Sequence, residues 1–251
     1  MSISIRLNAI AAKSRAWFSA SEKVDAAERL ACGIPEVDAL LEGGLPSKGL
    51  TEIFVSGARR GEVRMLLGAV SRAPSAVWVL PERGFEPFLP AFEALGIDIS
   101  RELFVIPPSA EEAFDAAELA LASGEARVVT AWLPALSPEQ DRLRLRRLAL
   151  AAETRGAALF AIRPAALACL APQGSLRLLF MPQGAGKIRI RALKSNALLN
   201  SSREILLEQT KLLFGTRAAE PSLRKQSTSA AKTLPSQPSL FSEFSEALPA
   251  I

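Results

Sequence analysis

The sequence predicts an α/β protein: a doubly wound, mainly parallel sheet flanked by helices and ending in an antiparallel hairpin. Three observations carry that prediction. Strand-like and helix-like segments alternate from residue 33 to about 195, the rhythm of strand–helix–strand crossovers. The strand-like runs are short and apolar, as in Val77-Trp78-Val79-Leu80, which is the composition of strands covered on both faces. The last two runs, 176–181 and 187–193, flank the turn Gln183-Gly184-Ala185-Gly186 and so read as a pair.

Residues 1–32 read as an N-terminal helical arm, with helix-like stretches at 11–18 and 24–30. Residues 33–195 form the expected core. Within it, 50–55 is a β-rich run ending in a Gly-bearing turn, and 62–70 reads as helix. After the strand 77–80, residues 85–95 suit a helix stopped by Gly96. The strand 103–106 is halted by Pro107-Pro108, and Ser109 with Glu112 three residues on forms a capping box for the next helix. That helix ends near Gly124, and 128–133 is strand. Ser137, Pro138 and Gln140 open another helix, and 157–162 is the following strand. Residues 196–215 read as a C-terminal helix built on Ile205-Leu206-Leu207 and Leu212-Leu213-Phe214. From 216 to 251 the chain turns to Ser, Thr, Ala, Pro and Gln without apolar periodicity, the signature of a disordered tail.

Composition excludes whole classes of chemistry. The 251 residues are 49% hydrophobic and 22% charged, an ordinary globular balance. The formal charge of +4 is too small to specify a nucleic-acid partner by itself. Histidine is absent, which removes Ser-His-Asp triads, Cys-His dyads and His-containing zinc sites. Tyrosine is absent too, which removes tyrosine-recombinase and topoisomerase chemistry. The two cysteines, Cys32 and Cys169, are too few for a disulfide framework, and their apolar neighbours predict buried, inert thiols. No apolar run reaches the roughly 18 residues of a membrane span, and the N-terminus lacks a signal-peptide pattern. A cytoplasmic location is expected.

A strand, a Gly-bearing loop and a helix near the start of a parallel sheet is where a phosphate-binding loop sits. Such a loop needs a Lys to neutralise phosphate and a hydroxyl to hold magnesium. The residues here are Ser56, Gly57, Ala58, Arg59, Arg60, Gly61, Glu62 and Val63. Glu62 reverses the charge at the Lys position, and Val63 cannot ligate a cation. Arg59 or Arg60 can replace the Lys charge but not the metal ligand. The strand 128–133 carries Thr130, Ala131 and Trp132 and no acid for magnesium. Glu82, after the strand 77–80, reads as a solvated loop acid rather than a general base. The loop is degenerate, with no catalytic residue, metal or cofactor expected.

Residues 33–53 resemble the segment that leads into RecA-type ATPase cores, G-x-x-x-(L/V)-D-x-L-L-x-G-G-L-P-x-G-x-(L/T)-x-E-I. Residues 95–99, 103–105 and 110–113 continue the likeness. Gly61-Glu62-Val63-Arg64-Met65-Leu66-Leu67, Leu145-Arg146-Arg147-Leu148 with Ala149, Ala151, Ala152 and Glu153, and Phe160-Ala161-Ile162-Arg163-Pro164 are similar to segments of the ImuA family. The resemblance spans roughly residues 30 to 195. It implies a RecA-like core that is catalytically silent and acts in SOS-induced translesion DNA synthesis. The partners it implies are an ImuB-like Y-family protein and a C-family error-prone DNA polymerase, with RecA and the sliding clamp as further contacts. An active RecA/KaiC-like DNA-dependent ATPase and a SulA-like cell-division inhibitor are the alternatives.

Three further features bear on partners. Residues 187–225 hold nine basic and three acidic side chains. Within them Lys187, Arg189, Arg191 and Lys194 are candidate DNA contacts, or else one solvated strand face. The helix after Pro138 carries Arg142, Arg144, Arg146 and Arg147 among leucines, as an interface or a solvated face. In the tail, Gln237-Pro238-Ser239-Leu240-Phe241 resembles the bacterial clamp-binding pentapeptide Q-L-[SD]-L-F, departing at its second position. Gln237, Ser239, Leu240 and Phe241 are the residues that carry that resemblance.

Overall fold

The structure, a computed structural model, describes residues 29–56, 61–81, 87–195 and 203–208, with the backbone alone for Lys194 and Ser195. These fall in the first of two units, Met1–Arg217 and Ala218–Ile251. In chain order the elements are β1 (Arg29–Leu30), α1 (Pro35–Leu40), β2 (Leu45–Pro46), β3 (Gly49–Val55), α2 (Glu62–Val70) and β4 (Ala76–Val79). Then come α3 (Leu89–Glu93), β5 (Glu102–Val105), α4 (Ala110–Ser123), β6 (Val128–Trp132), α5 (Pro138–Arg155) and β7 (Ala158–Pro164). The strands β8 (Leu176–Gln183), β9 (Lys187–Ser195) and β10 (Glu204–Glu208) follow.

Among the described residues one sheet has eight strands in the order β10-β9-β8-β3-β7-β6-β4-β5. From β8 to β5 every pairing is parallel, and β9 and β10 add on antiparallel. The expected fold class holds: α/β, with a mainly parallel sheet flanked by helices. All seven residues of β3 are buried, because β3 lies between β7 and β8 and is covered on both faces. Its alternate residues feed two cores. Ile53 and Val55 pack with α1, α2 and α3; Leu50 packs with α4 and α5.

Local chemistry sets the helix ends. Ser109 Oγ accepts from the Glu112 N–H at 3.2 Å, and Gly124 closes α4 at φ 73°. In α5 the expected box does not form on the backbone. The Ser137 hydroxyl donates instead to Gln140 Oε1 at 2.8 Å, and Pro138 starts the helix. Gly68, in the middle of α2, is required by packing: a Cβ there would lie 1.7 Å from the Cys32 carbonyl oxygen.

Several expectations need correction. Arg29–Leu30 is not helical but pairs with β2 in the register Arg29↔Pro46 and Leu30↔Leu45. Its partner strand follows Gly44, whose missing Cβ makes room for the Leu30 carbonyl, 2.2 Å from where that atom would stand. The helix expected over 196–215 is, where described, the strand β10. Ile205 and Leu207 both face the core at period two, β9 supplies backbone partners, and Arg203 NH1 is bonded to Glu42 Oε1 at 2.9 Å. The core therefore runs past residue 195. Within 85–95 the described helix is only Leu89–Glu93. Cys32 is buried, but Cys169 is exposed, in a 3-10 turn after β7. Residues 1–28, 209–215 and the tail 216–251 lie outside the described residues. Among the described residues no helix is long and apolar enough to cross a membrane.

Candidate functional site

The degenerate loop leaves the C-terminal end of β3, the end at which parallel sheets bind ligands. Ser56 follows Val55; Gly57, Ala58, Arg59 and Arg60 lie outside the described residues; Gly61, at φ 96°, opens α2. Glu62 is the first residue of α2 and is fully buried. A carboxylate there complements the positive end of the helix, the same end that would have to receive phosphate. Val63, the second residue of α2, is half-buried and packs against the core. On β6, Thr130 is buried and Trp132 ends the strand, while Glu82 lies outside the described residues. Among the described residues, Glu62 offers no cation and Val63 no oxygen ligand where a nucleoside triphosphate with its magnesium needs them at this helix end.

The motif that carried the family resemblance is accounted for by architecture. The Asp38 carboxylate accepts from the Cys32 N–H at 2.7 Å and the Gly33 N–H at 3.1 Å, tying β1 to α1. Gly44 permits the close approach of β1. Glu52, the acid of the motif, centres a buried ionic network. Its Oε1 accepts from the Gly174 N–H at 3.0 Å and the Gln173 N–H at 3.2 Å, and lies 3.2 Å from Arg177 Nε. Its Oε2 is 3.8 Å from Arg163 NH1, and Arg163 NH2 is bonded to Asp141 in the first turn of α5. Arg177 also sits over the Phe54 ring, 4.7 Å from its centroid. All four charged groups are at most 6% exposed, so the network joins β3, β7, β8 and α5 and is closed to a ligand.

A further buried acid lies on the edge strand β5. Glu102, at the start of β5, accepts from Trp78 Nε1 at 2.6 Å beneath a cluster of Trp78, Phe92, Phe104 and Trp132. Burial pushes its carboxyl up to about 7; the Trp78 bond and nearby Arg101 oppose the rise and Asp98 adds to it. Burial, with the Asp38 carboxylate beside it, likewise holds the Cys32 thiol far above the ordinary cysteine range. Sequence reasoning singled out neither Asp141, Arg177 nor Glu102. The available signal was a charged residue inside an otherwise apolar strand, as in Leu176-Arg177-Leu178-Leu179.

The candidate DNA contacts do not form one free cationic patch. Arg189 NH1 lies 3.4 Å from Glu204 Oε1, and Arg191 NH2 lies 2.9 Å from Glu204 Oε2. Lys187 is exposed and lines a cleft of about 390 Å³ with Glu36, Ile205, Leu206, Leu207 and Glu208. The side chain of Lys194 and the pentapeptide Gln237, Ser239, Leu240 and Phe241 lie outside the described residues. On α5, Arg144 is bonded to Asp115 of α4, while Arg142, Arg146 and Arg147 are exposed. No protein-family model matches the chain, and no curated protein matches it.

Proposed function

We propose that the chain is a non-catalytic RecA-like accessory subunit of an SOS-induced translesion synthesis assembly, of the ImuA kind. The observation that carries the reading is Glu62, a buried carboxylate at the helix position where a nucleotide site needs Lys, followed by the apolar Val63. The sequence resemblance supplies the pathway, and the misfit of the loop supplies the absence of catalysis. In this reading the subunit works in the cytoplasm at the nucleoid. It joins an ImuB-like Y-family protein to a C-family error-prone polymerase, with RecA and the sliding clamp as secondary contacts.

The test has two arms. Purified chain with magnesium-ATP, with and without single-stranded DNA, should show neither turnover nor a thermal shift. A ligand at 100 times its dissociation constant would stabilise the fold by about 2.7 kcal/mol. A shift of that size, or turnover, returns the chain to the ATPase class. Co-expression with an ImuB-like protein should give a stable complex; division arrest without any change in damage-induced mutation would point to the inhibitor class.

A further inference from the structure

We infer that the outer face of α5 docks an acidic amphipathic helix of a partner protein. Arg142, Leu143, Arg146, Arg147 and Leu150 recur at the spacing that places side chains on one side of a helix. The opposite side, with Leu145, Leu148 and Ala152, is buried against the sheet, so the fold already has the contacts it needs from this helix. Yet Leu143 is 48% exposed and Leu150 68% exposed. They stand seven residues, two turns or about 10 Å, apart. A merely solvated helix face carries polar side chains at such positions.

The charges specify the partner. Arg144, at the border, is taken by Asp115. The guanidinium groups of Arg142, Arg146 and Arg147 make no hydrogen bond or ion pair among the described residues. Two leucines one heptad apart match the apolar seam of a second helix, and guanidinium groups flanking them match carboxylates beside that seam. Arginine forks hold carboxylates in paired hydrogen bonds, and arginine is enriched where interfaces concentrate their energy. Nucleic acid fits less well: phosphate has no use for the leucines, and the face has no aromatic ring for a base to stack on. The footprint is small, which fits a weak, exchangeable contact rather than a permanent one.

This inference deepens the accessory-subunit reading by naming a surface and a class of partner. Turnover of magnesium-ATP by the same preparation reports on that reading separately. The probe is a fluorescein-labelled three-heptad peptide with Leu at the seam and Glu at the flanking positions. It is titrated into the full chain at low salt beside a peptide of scrambled order, a Lys-for-Glu peptide and an oligothymidylate. The expected result is saturable binding of the acidic peptide alone. That binding should weaken about tenfold both with Leu143→Ala plus Leu150→Ala and with Arg146→Glu plus Arg147→Glu, at unchanged circular dichroism. Equal binding of the scrambled peptide overturns the inference. So does binding that survives loss of the leucines while the oligonucleotide binds and is lost with the arginines, which would make this a phosphate surface. Self-association abolished by the leucine changes, without peptide binding, assigns the face to a second copy of the chain and overturns it equally.

Discussion

Raising the pH toward neutrality should loosen this fold at one carboxyl, Glu102. It is 5% exposed, and its pKa rises from 4.5 to about 7. Between those values the folded chain holds a proton that the unfolded chain has released. The stabilisation is complete below about 4.5 and is lost as pH rises through about 7. At about 1.4 kcal/mol per unit the span corresponds to about 3 kcal/mol. The Trp78 indole, 2.6 Å from Glu102 Oε2, favours the ionised form and limits the effect without reversing it. The perturbation is Glu102→Gln, which keeps an acceptor for the indole and cannot ionise. Urea unfolding, followed by tryptophan fluorescence and circular dichroism, is repeated from about pH 4.5 to about pH 8. The difference in stability between the two proteins should move by about 3 kcal/mol in favour of the variant as pH rises. Parallel curves for wild type and variant would refute the argument.

Asp141→Ala should cost about 3–5 kcal/mol, because Arg163 would remain buried with Glu52, 3.8 Å away, as its one carboxylate partner among the described residues; chemical denaturation measures this. Gly68→Ala should destabilise by about 1–3 kcal/mol through overpacking against Cys32, where the same change in an open helix stabilises; thermal melts give the sign. If Arg189 and Arg191 contact phosphate, Glu204→Gln should strengthen binding to single-stranded DNA by releasing both, with each contact adding about 0.7 to the log–log salt slope. No change in affinity or slope would leave the three side chains as a structural cluster. A peptide of residues 234–245 should bind the cognate clamp and lose binding with Leu240→Ala plus Phe241→Ala; absence of binding makes the match a coincidence of sequence.

The strands from β3 to β8 were legible because each is a largely apolar run punctuated by Gly, Pro or a helix-capping residue, and β9 because its apolar and charged residues alternate after the turn at 183–186. What stayed hidden depends on pairing. β1 and β2 have two residues each, too few to carry any period, and exist because Gly44 lets their backbones meet. In β10 the apolar triplet Ile205-Leu206-Leu207 suits either a strand or a helix, and the choice was made by β9 lying alongside. The degenerate loop was legible from Glu62 and Val63, but its architectural neighbours were not. Glu52 and Arg163 stood in the sequence as parts of a family pattern; that they share one network with Asp141 and Arg177 is a property of the folded sheet.

α5 is fastened at both ends. Near its start, Asp141 is bonded through Arg163 into the centre of the sheet; near its finish, the Glu153 side chain packs against β3 where a side chain on Gly49 would stand, and just past the helix the Ala157 carbonyl accepts from the Gly49 N–H at 2.9 Å. A beam bolted at two points cannot swing or slide under load. A pull on the Leu143–Leu150 side therefore reaches β7 and β3 through Asp141, Arg163 and Glu52. A partner meets a stiff ledge already in its bound shape, and gives up little freedom of the subunit when it lands.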